Sequence, residues 1–176
     1  MRFYEALDLA PRLAIEADDL KKRFYEKSRY WHPDRYSHAG PEAQQTALEM
    51  SAVLNDAFRT LKDPTARAEY FLEENGIGPS KQPPPELLEE VFDMNIALDE
   101  LRGGDDSVKP QLVEELERFV QMRAGIDQEL KGLYQEYDDT RHPPLLETMR
   151  RLLDRRRYVS NLVRDVEKEL NVHLSD

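Results

Sequence analysis

The sequence predicts an all-α chain of two helical domains, and three observations carry that expectation. Apolar residues recur at three- and four-residue intervals along almost every segment, the repeat of a helix with one buried face, and no stretch sustains the alternation of a half-buried strand. Glycine is sparse, seven residues in 176, in a chain rich in Leu, Glu and Arg, a usage that favours helix. Finally, "GIGPSKQPPPE", residues 76 to 86, sets four prolines and two glycines in eleven positions and breaks the periodicity completely, as a boundary between domains does. The expected division is residues 1 to 76, a Pro/Gly-rich linker over 77 to 86, and residues 87 to 176.

Asp18 or Asp19 is placed to cap the first helix, which runs to Trp31. It stops there because Pro33 pushes the residue before it out of the α region. Leu20, Phe24, Ser28 and Trp31 share its core-facing side, and Lys22, Arg23, Lys27 and Arg29 lie opposite. After the loop "PDRYSHAG", Pro41 opens a long helix to about Leu61, on which Ala47, Leu48, Leu54, Ala57, Phe58 and Leu61 recur near helical spacing. In "DPTARAEYFLEENG" Asp63 is the expected N-cap, Pro64 the first helical position and Gly76 the stop.

Three helices are expected beyond the linker. The first, from Pro85 to about Leu101, has the seam Leu87, Val91, Met94, Leu98 and Leu101. Leu112, Leu116, Phe119, Ile126, Leu130, Leu133 and Tyr137 form the second seam, and Leu145, Met149, Leu152, Val159, Val163, Val166 and Leu170 the third. Joined by the short "DDTRHPP", these last two read as an antiparallel pair. The helix from Pro85 carries more apolar surface than packing requires. At about 100° per residue, Leu88, Phe92 and Ile96 centre roughly 140° from its seam, flanked by Glu89, Asp93 and Glu100. A small bundle needs one stripe per helix, so the second stripe is expected to pack on the first domain or to face a partner.

Composition excludes several classes of function. With no cysteine, the chain alone can form no disulfide, thiolate metal site or Cys-ligated cluster. The opening "MRFYEALDL" lacks the basic and apolar regions of a signal peptide, and no apolar run approaches the ~18 residues that span a bilayer. A cytoplasmic protein without a membrane partner is expected. The net charge of -11 argues against nucleic acid as a partner. The run "RRLLDRRR", residues 150 to 157, reads as a solvated helix face paired with carboxylates. His142 and His173 receive no role. His32, Asp34 and His38 lack the spacing of helical metal ligands, and the chain has no nucleophile elbow, Gly-rich phosphate loop or carboxylate pair. No enzymatic activity and no cofactor are expected.

One local feature runs against the acidic total. "LKKRFYEKSRYW", residues 20 to 31, holds five basic residues and one Glu, a patch that selects an acidic partner surface. It leads directly into His32, Pro33 and Asp34. A helix terminator accounts for Pro33 but not for the basic face, so a docking loop is the reading that uses both.

A helix with a basic face, then His-Pro-Asp, then a longer helix ending "LNDAFRTLKDP" and a final "RAEY", resembles the J-domain of DnaJ-type co-chaperones. The resemblance implies an antiparallel helical hairpin that docks on a DnaK-type chaperone ATPase and stimulates hydrolysis there. The Gly/Phe-rich linker and Cys-rich zinc module of general J-proteins are missing. "RFYEKSRYWHPDRY", "LKDPTARAEYFLEENG" and "LLEEVFDMNIALDEL" instead resemble HscB, the co-chaperone of iron-sulfur cluster biogenesis, from the N-terminus to about residue 166.

That resemblance implies a J-domain joined to a C-terminal three-helix bundle that binds the cluster scaffold IscU and presents it to a DnaK/HscA-type chaperone. His32, Pro33 and Asp34 match the J-domain triplet, Arg23 and Arg29 match basic positions of the docking helix, and Lys22 and Lys27 add to them. Leu88, Phe92, Asp93, Ile96 and Glu100 fall on scaffold-binding positions, with Tyr158 joining that surface from the last helix. Glu89 stands where an apolar contact is usual, Ile96 replaces an acidic residue, and Lys27 replaces a Leu. Two clients therefore remain open on the residues alone: IscU, or a different protein recruited by the same bundle.

Overall fold

The computed structural model describes residues 2–171. Seven α-helices are described: α1 (Arg2–Ala6), α2 (Ala17–Tyr30), α3 (Pro41–Lys62), α4 (Pro64–Glu74), α5 (Leu88–Arg102), α6 (Lys109–Thr140) and α7 (Pro144–Leu170), with no strand among the described residues. The all-α expectation holds. Single turns of 3-10 helix stand at Pro33–Tyr36, Pro85–Leu87 and Asp106–Val108.

The chain divides into two compact units, one reaching Gly78 and also containing Tyr134–Arg141, the other formed by Pro79–Leu133 and the segment from His142 onward. This differs from the sequence reading, which gave residues 134 to 141 to the second domain and treated 77 to 86 as linker. The apolar seam of α6, which misses one step at Arg123, runs on through Leu133 and Tyr137, but its last turns bury different partners. Tyr137 meets Phe71 edge to face at 5.6 Å, and the buried Asp138 carboxylate accepts the backbone N–H groups of Leu13 (3.0 and 3.1 Å) and Ala14 (2.8 Å).

In the first unit α3 is the central element, packing against α1, α2 and α4. Its Ala47, Leu54, Ala57 and Leu61 are buried with Leu20 of α2 and Ala68, Phe71 and Leu72 of α4. Leu48 is exposed, against the sequence reading; it lies one residue past Ala47, about 100° around the helix. Phe24 stacks on Phe58 at 4.2 Å and, like Ser28 and Trp31, is half-buried. The short α1, which the sequence reading left unassigned, supplies the fully buried Tyr4 and stacks Phe3 on Tyr70 at 4.6 Å.

Cap chemistry sets the ends. Asp63 accepts the Ala66 N–H at 2.7 Å with Pro64 beside it. Gly76 takes φ 78°, and the Ile77 and Gly76 N–H groups donate to the Leu72 and Glu73 carbonyls, closing α4 as a left-handed glycine allows. At α2 the expected cap is displaced: Glu16 holds the cap position without a side-chain bond, and Asp18 and Asp19 lie in the first turn, where a helix dipole favours carboxylates.

The second unit is a three-helix bundle of α5, α7 and most of α6. Leu87, Met94, Ala97 and Leu98 are buried in it with Leu112, Leu116, Phe119, Ile126 and Leu130 of α6. On α7 the buried set is Leu146, Met149, Leu153, Val159, Leu162, Val163 and Val166; the predicted Leu145, Leu152 and Leu170 are only half-buried. The arginine run is also not simply solvated. Arg150 is buried against Asp154 at 3.1 Å, Arg156 pairs with Asp127, and Arg157 donates to the Ser80 carbonyl at 2.6 Å. Asp154 also accepts the Ser80 N–H, at 3.2 Å, so the proline-rich segment is tied down at its start. His173 lies outside the described residues.

Candidate functional site: an exposed His-Pro-Asp turn and an apolar helix face

The geometry of the turn follows from Pro33. His32 takes an extended backbone, φ -63° and ψ 127°, because the proline ring excludes the α region for its predecessor. Its ring then reaches over the next turn: Nδ1 accepts the Asp34 N–H at 3.3 Å, capping the 3-10 turn as a short polar side chain caps a helix. With Nδ1 accepting, a neutral ring carries its proton on Nε2, leaving a donor on the opposite edge.

The turn is braced through its backbone. Arg35 N–H donates to the His32 carbonyl at 3.0 Å, and Ser37 Oγ donates to that of Asp34 at 2.9 Å. Gln44 Nε2, from α3, donates to the Ala39 carbonyl at 2.9 Å. Trp31 stacks on Tyr36 with 5.9 Å between centroids and 10° between planes. Backbone bracing leaves the side chains outward: those of His32 and Asp34 are 58% and 91% exposed. The turn therefore holds Pro33 and Tyr36 half-buried and presents the polar side chains of His32 and Asp34 to solvent. Among the described residues no group of three or more His, Cys, Asp or Glu is arranged to hold a metal ion.

Lys21 of α2 is exposed, and the other cationic residues of the helix separate into two sets. Arg23 and Lys27 are engaged internally: Arg23 donates to Asp19 at 2.9 Å and to the Asp8 carbonyl at 2.7 Å, and Lys27 pairs with the Asp8 carboxylate. Lys22 and Arg29 are exposed. Tyr25, 58% exposed, lies between them at spacings of three and four, on the same face. Sequence reasoning did not single out Tyr25; its 22-25-29 spacing on the basic side was the available signal. Arg35, which donates to the Arg29 carbonyl at 3.4 Å, adds a further exposed cation beside the triplet.

On the second unit, the extra stripe of α5 faces solvent. Leu88, Phe92 and Ile96 are 50%, 65% and 44% exposed, and Glu89, Asp93 and Glu100 beside them are exposed as well. The helix is apolar on opposite sides, and only the Met94-Leu98 side enters the core. Tyr158 is half-buried on α7. Its hydroxyl points to the Lys81 carbonyl at 3.5 Å and Arg157 lies over its ring at 5.5 Å, so its neighbours are the proline-rich segment and its own helix. Between α5 and α6 a groove is lined by Glu90, Asp93, Met94, Ala97, Leu112 and Glu115.

The DnaJ domain family model matches residues 2–70. A co-chaperone protein HscB homolog of Vibrio vulnificus (strain YJ016) is 27% identical over 171 residues, 95% of each chain. The co-chaperone protein HscB homolog of Shewanella baltica (strain OS223) is 32% identical over 139 residues, 76% of this chain and 78% of that one. Among solved structures, the chaperone HscB from Vibrio cholerae superposes with a TM-score of 0.68 at 22% identity, over 97% of this chain and 98% of that one. Human co-chaperone protein HscB gives 0.69 at 20% identity, over 96% and 81%; at these identities the likeness is one of fold. An N-terminal match to the DnaJ domain, a helical second unit and relatives matched over most of their length lead to one conclusion: the chain belongs to the HscB family of J-domain co-chaperones.

Proposed function

We propose that this protein stimulates the ATPase of a DnaK/HscA-type chaperone through His32, Pro33 and Asp34, and delivers to it the iron-sulfur scaffold IscU, held on α5. The observation that carries the reading is the braced, outward His-Pro-Asp turn at the end of a helix with an exposed Lys22-Tyr25-Arg29 edge. Arg29, Lys22 and Arg35 supply positive charge for an acidic chaperone surface and speed encounter. The triplet then donates and accepts from a turn whose backbone is already braced, which lowers the ordering cost met on contact.

The second unit serves the client. Leu88, Phe92 and Ile96 form an apolar strip with an acidic border, the composition of a protein-binding core and rim. Asp93, Glu100 and Glu89 select a basic counterpart. Holding client and chaperone on one chain raises the local concentration of one at the other. The chain itself needs no nucleotide and breaks no bond. The cytoplasm is the compartment proposed, in keeping with the absence of cysteine from the sequence.

Single-turnover ATP hydrolysis by the DnaK-type chaperone of the same organism tests this, with the wild-type protein or His32→Gln, each with and without IscU. Stimulation that needs His32 and rises further with IscU supports it. Glu89 and Ile96, which depart from the family pattern, favour a second reading in which α5 recruits another client; stimulation indifferent to IscU would select that one.

A further inference from the structure

Asp8 occupies a position built for glycine. Its φ is 51°, in the left-handed region, and it follows Leu7, the residue after the end of α1. The Asp8 N–H donates to the Glu5 carbonyl at 3.1 Å, and the Leu9 N–H to that of Tyr4 at 2.9 Å. This is the closing pattern that a glycine most often completes, because a Cβ there costs strain that Asn and Asp bear better than other residues. The same pattern at the end of α4 does carry a glycine, Gly76. Strain retained at one end and relieved at the other directs attention to what the Asp8 side chain does.

Its carboxylate lies against Lys27 Nζ, on the helix that leads into the triplet. The Asp8 backbone carbonyl separately takes Arg23 at 2.7 Å, and Asp19 takes the same guanidinium at 2.9 Å. Two of the four basic residues on this side of α2 are therefore neutralised from within. The contact is local and partly exposed, with the Lys27 and Asp8 side chains 32% and 61% accessible, so a partner's carboxylate can compete for the same ammonium group.

We infer that Asp8 is an intramolecular competitor for the acidic surface on which α2 docks: it holds Lys27 in an internal pair and so sets how many cations the docking face offers. The inference rests on the docking role proposed above for α2. Asp8 is a specificity-determining residue in this account, because an internal carboxylate that masks one cation leaves recognition to Lys22, Arg29 and Arg35 and penalises partners whose charge lies opposite Lys27.

The test is Asp8→Gly, which removes the carboxylate, relieves the left-handed strain and keeps the carbonyl that holds Arg23. Single-turnover hydrolysis by the DnaK-type chaperone of the same organism is titrated with wild type, Asp8→Gly, Lys27→Gln and the double variant, at low and at high salt, with His32→Gln as the control for docking. The expected result is a roughly two- to fivefold lower half-saturating concentration for Asp8→Gly at low salt, the size of one exposed ion pair. The gain should shrink at high salt and vanish when Lys27→Gln is added. An Asp8→Gly titration superimposable on wild type, or a gain that survives Lys27→Gln, overturns the inference while the His32 dependence stands. If wild type gives no more stimulation than His32→Gln, the docking role itself fails and the inference falls with it. Thermal denaturation of each variant shows whether any change in half-saturation follows a loss of fold.

Discussion

The Asp138 carboxylate accepts the backbone N–H of Leu13 across 125 positions of sequence, at 3.0 and 3.1 Å, and that of Ala14 at 2.8 Å. Leu13 and Ala14 lie on the bent connection between α1 and α2, so a residue near the end of α6 fixes the chain's approach to α2. Arg12 and Arg141 stand 3.8 Å from the same carboxylate, whose side chain is wholly buried. Replacing it with Ala strands buried donors, at about 1–3 kcal/mol for such a group. Asp138→Ala should therefore unfold at visibly lower denaturant. A fragment ending at Gly78, which lacks Tyr134, Tyr137 and Asp138, should be less stable than the same region in the whole chain. Urea denaturation followed at Trp31 fluorescence measures both.

The Arg150-Asp154 pair gives a second prediction. Both residues are buried, and Asp154 also receives Arg157 at 3.2 Å and the Ser80 N–H at 3.2 Å. Removing one member of a buried pair costs about 3–5 kcal/mol, because a charge is left in a dry site with one ion pair fewer. Asp154→Ala is expected in that range, and Arg157→Ala well below it, since Arg157 is partly exposed. Calorimetric melting of the two variants separates these outcomes.

Alkaline pH should destabilise the first unit through Tyr4. Burial raises its phenol pKa well above that of a free tyrosine, with Arg67 opposing the shift and Asp138 adding to it. Its hydroxyl donates to the Arg12 carbonyl at 2.8 Å. The folded state thus holds a proton that the unfolded chain releases near pH 10. The stabilisation is complete below about pH 10 and is lost as pH rises from there towards the folded value. Tyr4→Phe should lose about 1 kcal/mol at neutral pH through the missing bond, yet show a flatter decline above about pH 10. Stability measured from pH 8 to 11 in both proteins checks the difference in slope.

Phe92 should matter for binding and not for folding. At 65% exposure its removal leaves the core intact, so Phe92→Ala should keep the wild-type melting temperature. Binding of IscU, measured by calorimetric titration, should weaken by about 1–3 kcal/mol if the ring is an anchor of that surface. Met94→Ala on the opposite side of α5 is the converse: Met94 is 3% exposed, and its loss should cost about 2–5 kcal/mol of stability.

These contrasts show which features the sequence reveals and which it hides. Pro33, Asp63, Pro64 and Gly76 act through backbone geometry local to themselves, so the helix ends they set are readable without any tertiary knowledge. The stripe of Leu88, Phe92 and Ile96 is readable because it exceeds what one buried face needs. The α1 helix is not, since five residues are too few to show a period. The transfer of Tyr134–Arg141 to the first unit is hidden for a different reason. The α6 seam misses a step at Arg123, well before the changeover, and nothing in the repeat that follows it says that its partner changes. Arg150 is missed because a charge reads as surface until a carboxylate is found to meet it, and the pairing of Asp8 with Lys27 joins two residues that no local pattern links.

The role proposed for the His32-Pro33-Asp34 turn is to act on a chaperone ATPase on behalf of a client held by α5. Its most direct measurement is single-turnover ATP hydrolysis by the same organism's DnaK-type chaperone, comparing wild type with His32→Gln in the presence and absence of IscU. The expected result is stimulation by wild type that increases with IscU and disappears in His32→Gln. Equal rates for wild type and His32→Gln, with a folded variant, would contradict it.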